Sequence, residues 1–439
     1  MTKNWSSSDL WRYGLWLLII IVAIAYYPRF IKYPGGMALY PAAARCLQNH
    51  KMLQACDPGF TYPPILAFLM LPFEPMPLWL RYLVWYLITL AAVIGSFRIS
   101  EKVAQSAIAR PLTAVELSWM RLIVLLLSSK LILSVFEFQA YDALLVLFVL
   151  LGLAALVAGR KFGAGASLAF AAALKATPLI FLPYLLWKRH FIAAATFAVV
   201  FIAASYLPDL FFTPTASEHG YFNTWLREVA GASLGIDPGN AKFAFRTVAN
   251  VLNHSLRGAV SLNIDETARR ALYRIVLFAV DGTFIVVVGT LLVLSPRRRA
   301  SIAVDGSLLL ISMLMLSPMT SRSHYIALLL PYMTLVTLGF RDERTANLGR
   351  AVMAASFVLV TLTSNDAVGQ AVTEWAYGHS FLVLGTLVLL IYFAVLVIRR
   401  YRNDRLAHLP PVQPSIDRTP DAAVADYRRS AVDQRTSRR

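Results

Sequence analysis

The chain has 439 residues, 58% of them hydrophobic and only 15% charged, with a formal net charge of +17. Soluble chains carry about 25% charged residues, so a mean hydropathy of +0.60 excludes both a soluble domain and a disordered chain. With 22 glycines and two cysteines, collagen-like and disulfide-rich secreted classes are excluded as well, leaving an all-α, polytopic transmembrane helix bundle.

About 20 apolar residues cross the hydrocarbon core as a helix. In chain order the candidates are Leu10–Tyr27, Pro77–Ser96, Leu112–Val135, Ala140–Ala158, Phe191–Leu207, Ala271–Leu294, Ile302–Ser317, Tyr325–Gly339, Ala351–Thr363 and Phe381–Ile398. The first is too long and too weakly basic in front for a cleaved signal peptide. Pro63–Pro72 is too short to cross. Ala164–Trp187 has basic residues at both ends and is interrupted by Lys175-Ala-Thr-Pro178. Proline ends or kinks a helix, so this stretch is expected to be a broken hairpin that enters and leaves on one side.

The basic clusters are Arg98/Lys102/Arg110, Arg160/Lys161, Lys188/Arg189, Arg297–Arg299, Arg341/Arg344 and Arg399/Arg400/Arg402. With the hairpin folded back, all six fall on one side, which the positive-inside rule makes cytoplasmic. Roughly ten spans follow, or twelve if the hairpin arms reach across, with both termini inside. Residues 1–400 form the membrane domain, with extracytoplasmic loops at 28–62 and 208–270. The tail 401–439 is polar and basic and is expected to be a disordered cytoplasmic extension beside anionic lipid. The charge of +17 is thus mostly topology and calls for no nucleic acid.

Soluble-enzyme motifs are missing, and no cluster of metal ligands is visible, so no metal and no cofactor are expected. Chemistry must come from polar residues at the membrane face, where they are costly and default to functional candidates. In the first loop Asp57 is the only acid between Tyr27 and Glu74; it is either a catalytic base or an Asp-Pro turn former. Cys46 and Cys56, the only cysteines, share this loop. They either form a disulfide on the oxidising side or stay as two thiols. Gln139 lies in the turn Glu137-Phe-Gln139, with Tyr141 and Asp142 just inside the next span. Lys175 sits at the hairpin break, and Arg322 and His324 at the outer mouth of another span. The sidedness argument places Asp57, Gln139, Arg322 and His324 on one face, with Lys175. The long loop adds Trp225, Lys242, Arg246 and Arg257, aromatic and cationic groups suited to a sugar on a lipid phosphate. Asp281, inside a span, motivates a rival reading as a lipid or solute transporter.

These residues resemble glycosyltransferase family 87 of the GT-C class, which includes polyprenyl-phosphate-mannose-dependent α-mannosyltransferases. The resemblance rests on Tyr40-Pro-Ala-Ala-Ala44 with Phe60-Thr-Tyr-Pro-Pro64, on Phe138-Gln139, on Lys175-Ala-Thr-Pro178 with Pro183-Tyr-Leu-Leu-Trp-Lys188-Arg189, and on Leu316-Ser-Pro318 through His324 to Leu330-Pro331. It implies a GT-C-like bundle in the bacterial plasma membrane with its active site outside. The implied reaction moves a hexose, mannose favoured, from a polyprenyl-phosphate sugar to a glycolipid or polysaccharide acceptor. Asp57 and His324 are the expected catalytic residues. Tyr62, Gln139, Lys175, Lys242, Arg246 and Arg322 are the expected substrate contacts. Three positions depart from the family. Gly36 stands where members carry the first-loop Asp, Phe138 replaces a Gly, and Ser323 replaces the first His of a pair. The departure at Gly36 also motivates a third reading, an inactive homologue acting in envelope-polysaccharide assembly.

Overall fold

The structure, a computed structural model, describes residues 21, 24–32, 35–57, 59–215, 219–231, 252–264, 269–341 and 343–407. Among these residues every regular element is helical. The elements that build the bundle are Gly36–Gln48 (α1), Leu78–Gln105 (α2), Ala114–Glu137 (α3), Asp142–Val157 (α4), Lys161–Leu174 (α5), Phe181–Trp187 (α6), Phe191–Phe211 (α7), Arg270–Leu294 (α8), Ile302–Met315 (α9), Leu329–Gly339 (α10), Glu343–Ser356 (α11) and Phe381–Ala407 (α12). Of the first expected span, only 21 and 24–27 are described, and the helix there continues to residue 32.

Among the described residues six helical stretches are long and apolar enough to cross a membrane: α2, α3, α7, α8, Thr345–Leu362 and the segment Phe381–Asp404 of α12. The architecture is that of an integral membrane protein. Beside these six stand shorter apolar helices, and most of the first expected span lies outside the described residues. Helices α4, α5 and α9 have 16, 14 and 14 residues, or about 21–24 Å at 1.5 Å per residue, short of the hydrocarbon thickness of about 30 Å. Two short helices sit inward: every residue of α9 is buried, and all of α10 but its last. A helix apolar on all sides belongs in such an interior. On α8, by contrast, Ile275, Phe278 and Val286 are exposed, as suits a lipid-facing helix.

Helix α5 packs along α4 and α7, and α2 packs against α4 and α10. Gly165 permits the α5–α7 contact, since a β-carbon there would overlap the Ala193 carbonyl. The hairpin breaks where the sequence places the break. Helix α5 stops at Leu174, Lys175 is extended (φ −157°, ψ 130°), and Pro178 lies in a 3-10 turn, Thr177–Ile180, that leads into α6. Pro178 has no N–H to bond the Leu174 carbonyl four residues back, and its ring clashes there, so α5 cannot run on into α6.

The first loop folds as α1 and a short turn of helix, Leu53–Cys56. Cys46 and Cys56 are bridged, with Cα atoms 6.0 Å apart, which decides between the two readings of the cysteines. In the long loop, α7 extends to Phe211, past the expected end at Leu207. Helix Gly220–Trp225 is capped by Asp209, whose carboxylate accepts from the Tyr221 and Phe222 amides. The stretch Arg399–Arg439 forms a second unit. Residues 399–407 of it are helical, and the rest of the expected tail, 408–439, lies outside the described residues.

Removing the bridge with Cys46→Ser/Cys56→Ser should destabilise the first loop by about 2–3 kcal/mol, the loop-closure value for a ring of this size. Thermal unfolding of the purified protein, with and without reductant, checks this. The wild type should move to the variant's transition when reduced.

Candidate active site

The turn between α3 and α4 is the foundation of the site. Gln139 has φ +49°, a left-handed conformation uncommon outside glycine, and is fully buried. Its side-chain Nε2 donates to the Phe30 carbonyl (2.7 Å), and its Oε1 accepts from the Met37 amide (3.1 Å). Its carbonyl accepts from Trp85 Nε1 (2.9 Å). The Gly36 amide donates to the Phe138 carbonyl (3.0 Å). Gln139 therefore ties the helix ending at residue 32, α1 and α2 to the start of α4.

This latch sets Asp142 in the first turn of α4, where free backbone N–H groups and the helix dipole favour a negative charge. The residue is 3% exposed. Ser323 Oγ donates to Oδ2 at 2.8 Å. The other oxygen, Oδ1, lies 3.3 Å from His324 Nε2 and 3.9 Å from Lys175 Nζ, with no hydrogen bond of regular geometry. Asp142, Lys175, Thr177, Ser317, Thr320 and His324 line a small cavity of about 20 Å³.

The backbone decides the tautomer of His324. The Ser321 amide donates to Nδ1 at 2.6 Å. An amide N–H can only donate, so Nδ1 is the acceptor, and the proton of the neutral ring is on Nε2, facing Asp142. Burial holds the imidazole pKa down to about 4, so the ring is neutral at pH 7. His324 is thus a donor in this arrangement, and Asp142 Oδ1 is the atom left to accept a proton.

A wall of phenols closes one side. Tyr40, Tyr62 and Tyr141 meet edge to face, with ring centroids 5.1–5.9 Å apart. Burial first, and then their neighbours' charge, raises the Tyr40 and Tyr62 pKa values and keeps both protonated. Gly36 faces this wall. A β-carbon there would overlap the Tyr40 ring and the Gln139 carbonyl oxygen. The place where the family resemblance expects an acid is therefore filled by Tyr40.

Arg322 is already engaged. Its Nη2 pairs with Glu137 Oε2 at 2.7 Å, its Nη1 donates to the Tyr377 hydroxyl at 3.1 Å, and it stacks over Phe138. Glu137 also takes Lys130 (2.8 Å), the Tyr26 hydroxyl (2.9 Å) and Arg29 (3.2 Å), while Arg29 and Lys130 reach Asp366. This network anchors the 3-10 segment Arg322–Leu328 that carries Ser323 and His324. From the other side, the His254 amide donates to the Thr320 carbonyl, and the Tyr325 hydroxyl to the His254 carbonyl, both at 2.7 Å.

The structure brings Lys175, His324 and Tyr62 together around Asp142. It does not bring Asp57 there: Asp57 Oδ1 accepts from the Gly59 amide at 2.7 Å, the turn-forming alternative, and among the described residues Asp57 makes no ion pair. Trp225 Nε1 donates to the Thr61 carbonyl at 2.9 Å, so it supports the first loop. Lys242 and Arg246 lie outside the described residues. Asp142 and Ser323 are the residues that sequence reasoning passed over. An acid in the first turn of a span is ordinarily a helix-dipole partner, and the sequence does not say that a histidine 182 positions later faces it.

An all-helical membrane bundle with a buried carboxylate, a neutral histidine and a lysine at the mouths of its helices is the class of protein that fold and site define. The chain belongs to glycosyltransferase family 87, whose profile matches residues 60–318. It is 28% identical over 305 residues to the polyprenol-phosphate-mannose-dependent alpha-(1-2)-phosphatidylinositol pentamannoside mannosyltransferase of Mycobacterium tuberculosis (strain CDC 1551 / Oshkosh). That match covers 69% of this chain and spans 63% of the relative's length. No solved structure matches.

Restoring an acid by Gly36→Asp should therefore lower stability rather than improve the site. Forcing a side chain into this contact costs about 1–3 kcal/mol, and Gly36→Ala should show most of the loss in the same thermal assay. A second expectation concerns pH. Burial, with the Arg322 charge and the neighbouring His324 behind it, lowers the His254 pKa to about 3, against about 6.5 in an unfolded chain. As pH falls from about 6.5 the unfolded state takes up protons that buried His254 and His324 refuse, so stability is complete above pH 6.5 and declines toward pH 4. The melting temperature measured across this range should fall, and His254→Phe should flatten the decline.

Proposed function

We propose that the chain transfers a hexose, mannose in the favoured reading, from a polyprenyl-phosphate sugar to an envelope glycolipid or polysaccharide at the extracytoplasmic face of the bacterial plasma membrane. One observation carries the chemistry: Asp142 Oδ1, lacking a regular hydrogen bond, is flanked by His324 at 3.3 Å and Lys175 at 3.9 Å. Transfer requires a base for the acceptor hydroxyl and donors for the departing phosphate. In the proposed step the acceptor oxygen forms a bond to the sugar's anomeric carbon. The bond from that carbon to the phosphate oxygen breaks, and its electron pair leaves on polyprenyl phosphate. The acceptor proton passes to Asp142 Oδ1. Asp142 thus takes the role first expected of Asp57. His324 Nε2–H and the Lys175 ammonium supply hydrogen bonds and charge to the leaving phosphate, and the phenol wall of Tyr40 and Tyr62 offers apolar faces to a sugar ring.

Sidedness is supported by where the basic clusters fall. Lys161, Lys188 and Arg297–Arg299 surround one cavity with Gly159, beyond the C-terminal end of α4, whereas Asp142 lies at its N-terminal end. Arg341 donates to the Arg110 carbonyl at 3.3 Å, joining two more clusters. The positive-inside rule assigns their common end to the cytoplasm.

Membranes expressing the wild type should move radiolabelled mannose from polyprenyl-phosphate-mannose to an endogenous acceptor. Asp142→Asn should lower the rate by about 10²–10⁴-fold, the range for losing an acid–base group. His324→Ala should lower it by about 10²-fold or more, and Asp57→Asn should leave it within a few-fold. No wild-type transfer from any polyprenyl-phosphate hexose would sink the reading and favour the inactive homologue. Full activity in Asp142→Asn would remove Asp142 from the chemistry. For topology, a cysteine at Arg227 should react with an impermeant thiol reagent in intact cells, and one at Arg298 only after permeabilisation. The reverse pattern would invert the assignment.

A further inference from the structure

A second concave site lies at the other end of the two helices that hold the first. Helices α4 and α9 reach the Asp142 cavity through Asp142, Leu145, Met313 and Leu314, and the second cavity through Leu156, Ile302 and Asp305. Their 16 and 14 residues separate the two sites by about 20 Å. The second cavity has a volume of about 200 Å³. Its charged lining is Lys161, Lys188, Arg297, Arg298, Arg299 and Asp305, five cations against one carboxylate.

Only one of these cations is held by the carboxylate. Lys188 Nζ lies 3.0 Å from Asp305 Oδ2 and donates to the Ser295 carbonyl at 2.8 Å. The Tyr184 hydroxyl donates to the same Oδ2 at 3.2 Å. Asp305 is 1% exposed; the Ser295 hydroxyl lies beside its carboxylate, and its Oδ1 has no hydrogen bond of regular geometry. Arg297 is fixed by the Trp187 carbonyl (3.1 Å) and stacks on the Trp187 ring. Arg299 reaches over Gly159, which has φ +74° and whose β-carbon would come 3.3 Å from Arg299 Nη2. Among the described residues neither Lys161 nor Arg299 has a carboxylate partner. His190 also lines the cavity. Burial and the nearby Lys161 and Lys188 lower its pKa, so it adds no charge at pH 7.

The positive-inside pattern requires only that basic residues face one side. It does not require clusters from three separate turns to enclose one cavity around a buried carboxylate oxygen with no hydrogen bond of regular geometry. An unbalanced set of Arg and Lys donors in a concave site suits phosphate, which Arg binds in a bidentate fork. A buried acceptor without a regular hydrogen bond suits a hydroxyl beside that phosphate. The volume is below the range of about 300–1,000 Å³ for drug-sized ligands, so a small headgroup fits.

We propose that this cavity binds a phosphate ester carrying a free hydroxyl, of the glycerophosphate type. Lys161, Arg297 and Arg299 hold the phosphate, and Asp305 Oδ1 accepts from the hydroxyl. The ester is either the headgroup of an anionic lipid in the adjoining leaflet or a soluble glycerol phosphate. The proposal does not depend on the sugar-transfer reading.

Thermal unfolding of the full chain in a neutral detergent tests it, with four added probes: phosphatidylglycerol, phosphatidylcholine, phosphatidylmethanol and glycerol 3-phosphate. Phosphatidylglycerol should raise the melting temperature of the wild type by several degrees, and phosphatidylcholine should not. Phosphatidylmethanol has the same charge without the hydroxyl and should need about 10-fold more for the same shift, as expected for one lost hydrogen bond to a charged group. Lys161→Gln/Arg299→Gln should lose most of the shift, whereas Lys102→Gln, on another basic turn, should keep it. A shift with glycerol 3-phosphate alone, or with both phosphate probes, assigns a soluble or shared ligand. A shift with phosphatidylglycerol only assigns the lipid. No shift with either probe, an unchanged shift in the double variant, or an equal loss in Lys102→Gln overturns the site. Equal potency of phosphatidylmethanol overturns the role of Asp305.

Discussion

A carboxylate taken out of water must be held by partners, because an isolated buried charge is prohibitively costly. Asp142 meets that constraint with four different devices. The start of α4 gives it the positive end of a helix dipole, Ser323 donates a hydroxyl, His324 presents a protonated Nε2, and Lys175 adds a full positive charge. The devices come from three separate parts of the chain, so satisfying one acid fixes the relative positions of α4, the end of α5 and the 3-10 segment Arg322–Leu328. The helix break at Lys175 is part of the same solution, since an uninterrupted α5 would leave no extended residue at its end to lean toward Asp142.

Behind this cluster stands a neutral scaffold that does not titrate. Gln139 binds three other segments through its side chain and carbonyl, and it adopts a left-handed backbone to do so. Gly36 approaches that turn closely. Once the Tyr40 ring occupies the space beside Gly36, no acid fits there. The carboxylate that faces His324 instead comes from the first turn of α4. Ser323, at another position where the sequence departs from the pattern it resembles, gives its hydroxyl to Asp142.

Much of the fold was legible in the sequence. Apolar runs bounded by basic clusters marked the helices, and Lys175-Ala-Thr-Pro178 marked the break, because proline chemistry is local. Boundaries were less legible. Helix α7 runs four residues past the expected Leu207, since Pro208 is tolerated at a helix end that Asp209 then links to the next helix. Span count was also uncertain from sequence, because hydropathy does not separate a short buried helix such as α9 from one that faces lipid.

For the site, sequence established which kinds of polar residue stand at helix ends and, through the side on which cations accumulate, which ends belong together. His324 and Lys175 emerged from that reasoning, and both lie at the cluster. Asp57 also emerged, because it is the lone acid of its loop, yet its carboxylate serves the Gly59 turn. Only the tertiary structure decided that Asp142 and His324 are neighbours, that a backbone amide fixes the histidine tautomer, and that three basic turns enclose one cavity. The physical reason is range. Helix propensity, hydropathy and charge sidedness act within a few residues or across a whole membrane, and both scales can be read along a chain. Contacts such as Asp142 to His324 act over about 3 Å between residues 182 positions apart, and their pairing is set by packing that the linear sequence does not display.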